Sequence, residues 1–397
     1  MKIKAHKLFY LISFLQFFMA EITGTTLILF ILSKGYSLQI ANNLFIVLFV
    51  SIMILEIPTG IIADRFGRKK SVVLGFLCYL IYSLIFLAAD NIYFLILAQL
   101  FGALATCLQS GALESWVVDN SEESIDHIFA TSNSIMYIAG FICGILGAFL
   151  ANIYFGLPWI ISIFTNIILL LLSIIVMKEN RWSPHTVENN KTFSVKSIFQ
   201  NSKNIILSEK SLWIIFLVGI FVNFSNSAAN TFQQPRFVAL SEQGVWVFGI
   251  IKTVYSLFMS LGSYWVKKLS GKYDDRTVLI FSLLMLGIWL IFSGILDSFY
   301  PVLVTFMVYE IGRGMYPTAS QIYINKRISG EYRATILSLE SAITRIGMCV
   351  GLFVTGVISK NFVTLSDSQL PIRVSWVICG IVAIIPVFFL KYFKKVK

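Results

Sequence analysis

Apolar runs of about twenty residues, each long enough to cross a bilayer as a helix, recur from one end of this chain to the other. They fall near residues 8–32, 39–62, 71–89, 92–116, 128–151, 157–177, 212–233, 243–266, 277–297, 299–324, 334–359 and 373–390. Of the 397 residues 57% are hydrophobic, and only 13% are charged, where a soluble protein carries about a quarter. With a mean hydropathy of +0.82, no soluble domain can be cut from the chain. Lys2, Lys4 and Lys7 precede the first run as they would in a signal peptide. That run is too long for a signal core, carries Glu21 and shows no cleavage site, so it is expected to remain as a first helix. The five cysteines stand singly within apolar runs and the three histidines in or next to loops, which suits neither a metal site nor a catalytic one.

Twelve crossings put both termini on the same side, and the cations say which. The loops expected on the opposite side hold only Lys34, Arg236, Lys360 and Arg373, and Lys252, Arg313 and Arg345 lie inside helices. The rest of the 31 Lys and Arg lie on the side of the termini, which predicts cytoplasmic N- and C-termini. The net charge of +11 is therefore a matter of topology and predicts no nucleic-acid partner. One long polar segment divides the runs into an N-terminal bundle (1–177), a cytoplasmic linker (178–211) and a C-terminal bundle (212–397). Within the linker, residues 195–200 can form a short amphipathic surface helix.

Between the second and third runs stands Gly60-Ile61-Ile62-Ala63-Asp64-Arg65-Phe66-Gly67-Arg68-Lys69-Lys70, expected as a tight turn with four cations. A glycine at each end would let two helix ends approach closely. The pattern Gly-x-x-x-Asp-Arg-x-Gly-Arg-Lys resembles the loop 2–3 signature of the major facilitator superfamily of secondary transporters and stands where that family carries it. Glu56-Ile57-Pro58-Thr59-Gly60 and Ser110-Gly111-Ala112-Leu113-Glu114-Ser115-Trp116-Val117-Val118-Asp119 look like further signatures of a bacterial drug-efflux branch. The resemblance covers nearly the whole chain. It implies an all-α polytopic membrane protein of twelve transmembrane helices in two pseudo-symmetric six-helix bundles, with substrate near the midplane. It also implies a cytoplasmic latch of Asp64, Arg65, Arg68 and Asp119, on a turn shaped by Gly60, Gly67 and Lys69. The loop Val266-Lys267-Lys268-Leu269-Ser270-Gly271-Lys272 holds the equivalent place in the second half but lacks the Asp-Arg pair. Two features depart from proton-coupled members: Ala98 stands where many have Arg, and helix five carries Gly140, Gly144 and Gly147 without a Gly-Pro step.

Charged side chains inside spans are costly, so each needs a partner or a task. Glu21, near the midplane of the first helix, resembles the helix-one acid of proton-coupled exporters. It is a candidate proton carrier, or else a static partner for a cation such as Arg313 or Arg345. Glu340 is a second proton-coupling candidate, or a neutraliser of the loop 2–3 cations. Arg313 shares a helix face with Tyr309, Glu310 and Tyr316, and is either paired there or free to grip an anion. Lys252 is ambiguous, because its long stem can snorkel. Glu56 and Glu114, near helix ends, are expected to join the cytoplasmic charge network. Asn223, Asn226, Asn230 and Gln233 form one polar stripe that must face protein or water. With Tyr309, Arg313, Tyr316 and Arg345, the asparagines are candidates for lining the cavity.

These features predict a secondary active transporter of the cytoplasmic membrane rather than an enzyme. It would move a small-molecule substrate by alternating access, with the proton gradient as energy source, no cofactor, and a monomer as the working unit. Proton-coupled export of drug- or antibiotic-like compounds leads, and uptake symport of a small, anionic metabolite is the alternative. A primary pump would need a nucleotide-binding Gly-x-x-x-x-Gly-Lys-Ser/Thr motif, which is missing from the sequence.

Overall fold

The computed structural model describes residues 4–178, 210–326, 333–361 and 368–392. Among these residues every regular element is a helix: α1 (Ala5–Gly24), α2 (Leu27–Ser33), α3 (Leu38–Phe66), α4 (Arg68–Ala88), α5 (Ile92–Gln109), α6 (Ala112–Asn120), α7 (Ile125–Ile153), α8 (Leu157–Ile175), α9 (Lys210–Ser241), α10 (Trp246–Leu269), α11 (Asp275–Ile295), α12 (Phe299–Asn325), α13 (Arg333–Asn361) and α14 (Leu370–Tyr392). By length and composition, nine spans among the described residues can cross a bilayer, or ten if α1 and α2 count as one bent span. The chain is an all-α, multi-pass integral membrane protein. The helices follow the twelve apolar runs in order, and the amphipathic helix expected over 195–200 lies outside the described residues.

Three local corrections bear on the site. The first run is not continuous, because α1 stops at Gly24 and α2 leaves at 44° to it. Gly24 is a weak helix former, and the threonines around it bond back into the preceding turn: Thr23 Oγ1 donates to the Met19 carbonyl at 3.1 Å and Thr25 Oγ1 to the Glu21 carbonyl at 2.8 Å. Such back-bonding bends helices. The fourth run breaks at Ser110–Gly111, where Gly111 takes a left-handed conformation with φ 72°.

The third correction concerns the turn expected over 60–70. Helix α3 runs on to Phe66 and α4 starts at Arg68, so Gly67 alone makes the connection. Its φ of 101° and ψ of 148° lie in a region that is essentially restricted to glycine. Gly60 is helical, and among the described residues a Cβ there would meet nothing within 4 Å, so they show no close approach at this glycine.

Packing divides the chain into two compact units. Unit 1 comprises residues 1–37, 43–186 and 243–253, and unit 2 comprises 38–42, 187–242 and 254–397. Each thus takes in a short segment from the other half of the sequence. Lipid is as apolar as leucine, so close packing rather than water exclusion holds helices together here. In unit 1, Leu8, Phe9, Ile12 and Met19 of α1 pack with Phe76 of α4, Trp116 of α6 and Leu169 of α8. Trp159 stacks on Phe86 at 4.5 Å. Helix α7 comes so close to α1 that a Cβ on Gly147 would collide with the Ile22 carbonyl oxygen. Lys34 caps α4 by donating to the carbonyls of Leu87 and Ala89 at 2.9 and 2.8 Å. In unit 2, Trp376 stacks on Phe306 at 5.3 Å. Asn42, in the segment that joins unit 2, donates to the Leu352 carbonyl at 3.1 Å and to Thr355 Oγ1 at 3.0 Å.

Candidate functional site

The bend between α1 and α2 places Glu21 in the last turn of α1, beside Thr25. Lys252, in the 243–253 segment that packs within unit 1, donates to Glu21 Oε2 at 2.5 Å and to Thr25 Oγ1 at 2.9 Å. The Thr25 hydroxyl spends its proton on the Glu21 carbonyl, so its lone pairs are left to receive the ammonium. The side chains of Lys252 and Glu21 are 17% and 26% exposed, which leaves the pair mostly out of solvent without sealing it. The cation on Glu21 is therefore Lys252, where the sequence suggested Arg313 or Arg345.

One turn earlier on α1, two adjoining hollows of about 300 and 310 Å³ open within unit 1. They share Gln16 and Ala20 of α1 with Leu113 and Glu114 of α6. The first is also lined by Met19, Tyr79, Thr106 and Gln109, the second by Phe9, Phe17, Phe129 and Met136. Gln16 Nε2 donates to Gln109 Oε1 at 2.6 Å. The buried Gln109 Nε2 has no hydrogen-bond partner among the described residues. Glu114, expected in a charge network at the helix end, sits exposed on the wall common to both hollows. Sequence reasoning passed over Gln16 and Gln109. A neutral amide inside a span is nonetheless a signal, since lipid cannot satisfy it.

At the α3–α4 connection, Arg68 Nη1 donates to the Ser115 carbonyl at 2.6 Å and forms an ion pair with Asp119. Lys69 Nζ donates to the Ile174 carbonyl at the end of α8, at 2.9 Å. The side chains of Asp64 and Arg65 lie outside the described residues. On the neighbouring α6–α7 connection, Glu123 stands 3.2 Å from His6 Nε2 and 3.5 Å from His127 Nδ1.

In unit 2 the polar stripe of α9 meets α12. Asn226 Oδ1 accepts from the Tyr309 hydroxyl at 2.9 Å, and Asn230 Oδ1 accepts from Arg313 Nη2 at 2.6 Å. Arg313 Nη1 donates to Glu310 Oε1 at 3.0 Å, and Glu310 is fully buried. Asn223 bonds back to the Gly219 carbonyl of its own helix at 3.0 Å. Tyr309 and Tyr316 are buried, and the Tyr316 hydroxyl has no hydrogen-bond partner among the described residues. Glu340 and Arg345 are half-buried on α13. Two cations that the sequence offered only as markers of topology form a cluster. Buried Arg236 donates to Asp297 Oδ1 at 2.9 Å, and Arg373 donates to Asp297 Oδ2 at 3.1 Å.

An acid–ammonium pair, a hollow with unfilled hydrogen-bonding capacity, and a charged connection between α3 and α4 can bind a solute and respond to charge. The chain is similar along most of its length to an uncharacterized MFS-type transporter of Bacillus subtilis, YxaM, at 23% identity over 98% of this chain and 96% of that one. The quinolone resistance protein NorA of Staphylococcus aureus is 22% identical over 77% of each chain. Among solved structures, the nucleoside transporter NupG superposes with a TM-score of 0.83 at 14% identity, over 99% of this chain and all of that one, which speaks to the fold alone. The sequence profile of the Major Facilitator Superfamily matches residues 9–241 and 238–397, and the chain belongs to that family of transporters.

Proposed function

We propose that this transporter couples proton entry to the export of drug- or antibiotic-like compounds, with Glu21 as the proton carrier. The observation that carries the reading is the Glu21–Lys252–Thr25 arrangement one turn from the hollows. A proton arriving on Glu21 cancels its charge, and the Lys252 ammonium then keeps the Thr25 hydroxyl but loses the ionic part of its hold on α1. The segment 243–253 would be released from α1 at that step, and loss of the proton would restore the pair. Glu114, Gln16 and Gln109 give the hollows polar anchors, while Met19, Tyr79, Phe9, Phe17 and Phe129 give them apolar walls. That mixture suits an amphipathic solute. The named activity of NorA supports export, although it belongs to that protein.

The alternative, uptake of an anionic metabolite gripped by Arg313, is less favoured because Arg313 is already engaged by Glu310 and Asn230. In this proposal the protein is a monomer in the cytoplasmic membrane with both termini inside. Arg68 and Asp119 close the latch on the cytoplasmic side, and Glu340 is a secondary proton site.

Growth inhibition of a susceptible host by a compound panel, with and without the gene, tests the reading. Glu21→Gln should abolish resistance with the protein still in the membrane. Unchanged resistance and unchanged proton-linked transport in that variant would remove Glu21 from the mechanism.

A further inference from the structure

Where α4 begins and α8 ends, Lys69, Lys70, Val73, Leu74 and Ile174 wall an open cleft of about 350 Å³. Its chemistry is divided along its length. At one end are two ammonium groups. Lys69 is tied to the last turn of α8 through the Ile174 carbonyl, and Lys70 stands exposed beside it. Val73 and Leu74 lie three and four residues beyond Lys70, on the same face of α4. Leu74 is 44% exposed and Ile174 49%, so the trough they form opens outward. In a membrane-embedded helix pair, such a trough faces the bilayer.

Cations at the mouth and an apolar channel leading away from them match a molecule with an anionic head and a hydrocarbon tail. We propose that this cleft is a binding site for an anionic phospholipid, with its phosphate against Lys69 and Lys70 and one acyl chain along Val73, Leu74 and Ile174. A soluble anion would use the lysines but gain nothing from the trough. A zwitterionic lipid would fill the trough but bring its own cation against the lysines. Such a lipid site requires neither proton coupling nor a particular direction of transport.

Purified full-length protein in detergent, titrated with phosphatidylglycerol or phosphatidylcholine of matched acyl chains and read by native mass spectrometry, tests the site. Phosphatidylglycerol should be retained in preference to phosphatidylcholine. Each lysine near an anionic headgroup contributes about fivefold in affinity. Lys70→Gln should therefore weaken phosphatidylglycerol binding about fivefold, and Lys69→Gln with Lys70→Gln by about 25-fold. Lys268→Gln, which removes an exposed cation from unit 2, should leave binding unchanged. Equal retention of the two lipids, equal loss in Lys268→Gln, or displacement of phosphatidylglycerol by an equal concentration of inorganic phosphate would overturn the proposal.

Discussion

Lys252→Met takes the ammonium away from Glu21 while keeping the length and apolar stem of the side chain. With 17% and 26% of the two side chains exposed, the pair falls between two known limits. Breaking an exposed ion pair costs about 0–1 kcal/mol, and stranding one charge of a buried pair costs about 3–5 kcal/mol. The exposure lies nearer the buried limit, which puts the cost of Lys252→Met at about 2–3 kcal/mol. Glu21→Gln strands the ammonium instead and should cost a similar amount. The double variant strands neither charge, so its cost should fall short of the sum by about 2 kcal/mol. Unfolding the four purified proteins in detergent with rising SDS, followed by tryptophan fluorescence, completes the cycle. Single-variant costs that add to within about 0.5 kcal/mol would refute the coupling. In proteoliposomes under an imposed pH gradient, the same proteins separate stability from proton response. Lys252→Met keeps an acid at position 21 and should still respond to the gradient, whereas Glu21→Gln should not.

Gly67→Ala forces a Cβ into a backbone region that side chains avoid and should cost about 1–3 kcal/mol, seen as earlier thermal aggregation in detergent; an unchanged melting curve would show that the connection relaxes freely. Gly147→Ala should lower stability by about 1–3 kcal/mol in the same assay, because the new methyl meets the Ile22 carbonyl of α1, and no loss would mean that α7 shifts without penalty. Arg68 and Asp119 are 31% and 51% exposed, so Asp119→Asn should change stability by no more than about 1 kcal/mol yet slow transport in vesicles. Wild-type rates in that variant would defeat the latch.

The features legible in the sequence were those that act locally. Apolar length marked the spans, and Gly67 followed by Arg68 and Lys69 marked the connection from α3 to α4. Glu21 stood out because a lone acid in a span must be answered by something. The identity of that answer was hidden: Lys252 lies 231 positions away, and no pattern within α10 says which helix its stem will meet. Gln16 and Gln109 meet across 93 positions, and as neutral amides they raise no alarm in a charge census. Arg236 and Arg373 read as loop cations because loop position predicts orientation, whereas their shared bond to Asp297 depends on how α9, α14 and the α11–α12 connection come together. The break in α1 was half visible in Gly24-Thr25-Thr26. An apolar run on both sides outweighed it, since hydropathy measures whether a segment can cross but not whether it crosses straight.

The two broken spans of unit 1 bear on whether its hollows are functional or are defects of packing. Interrupting a helix inside hydrocarbon exposes backbone groups that lipid cannot satisfy, so breaks persist where protein or a water-filled cavity receives them. Both breaks fall beside the hollows: Ala20 and Glu21 lead into the bend at 24–26, and Gln109 and Glu114 flank the break at 110–111. Near these breaks Gln109 Nε2 and Thr26 Oγ1 are buried without hydrogen-bond partners among the described residues. A packing defect in a membrane protein would be expected to be apolar and dry. Two interrupted spans that bring amides and a carboxylate to the wall of the same hollow, with an ion pair one turn further along α1, suit a place where a polar guest is taken up and released.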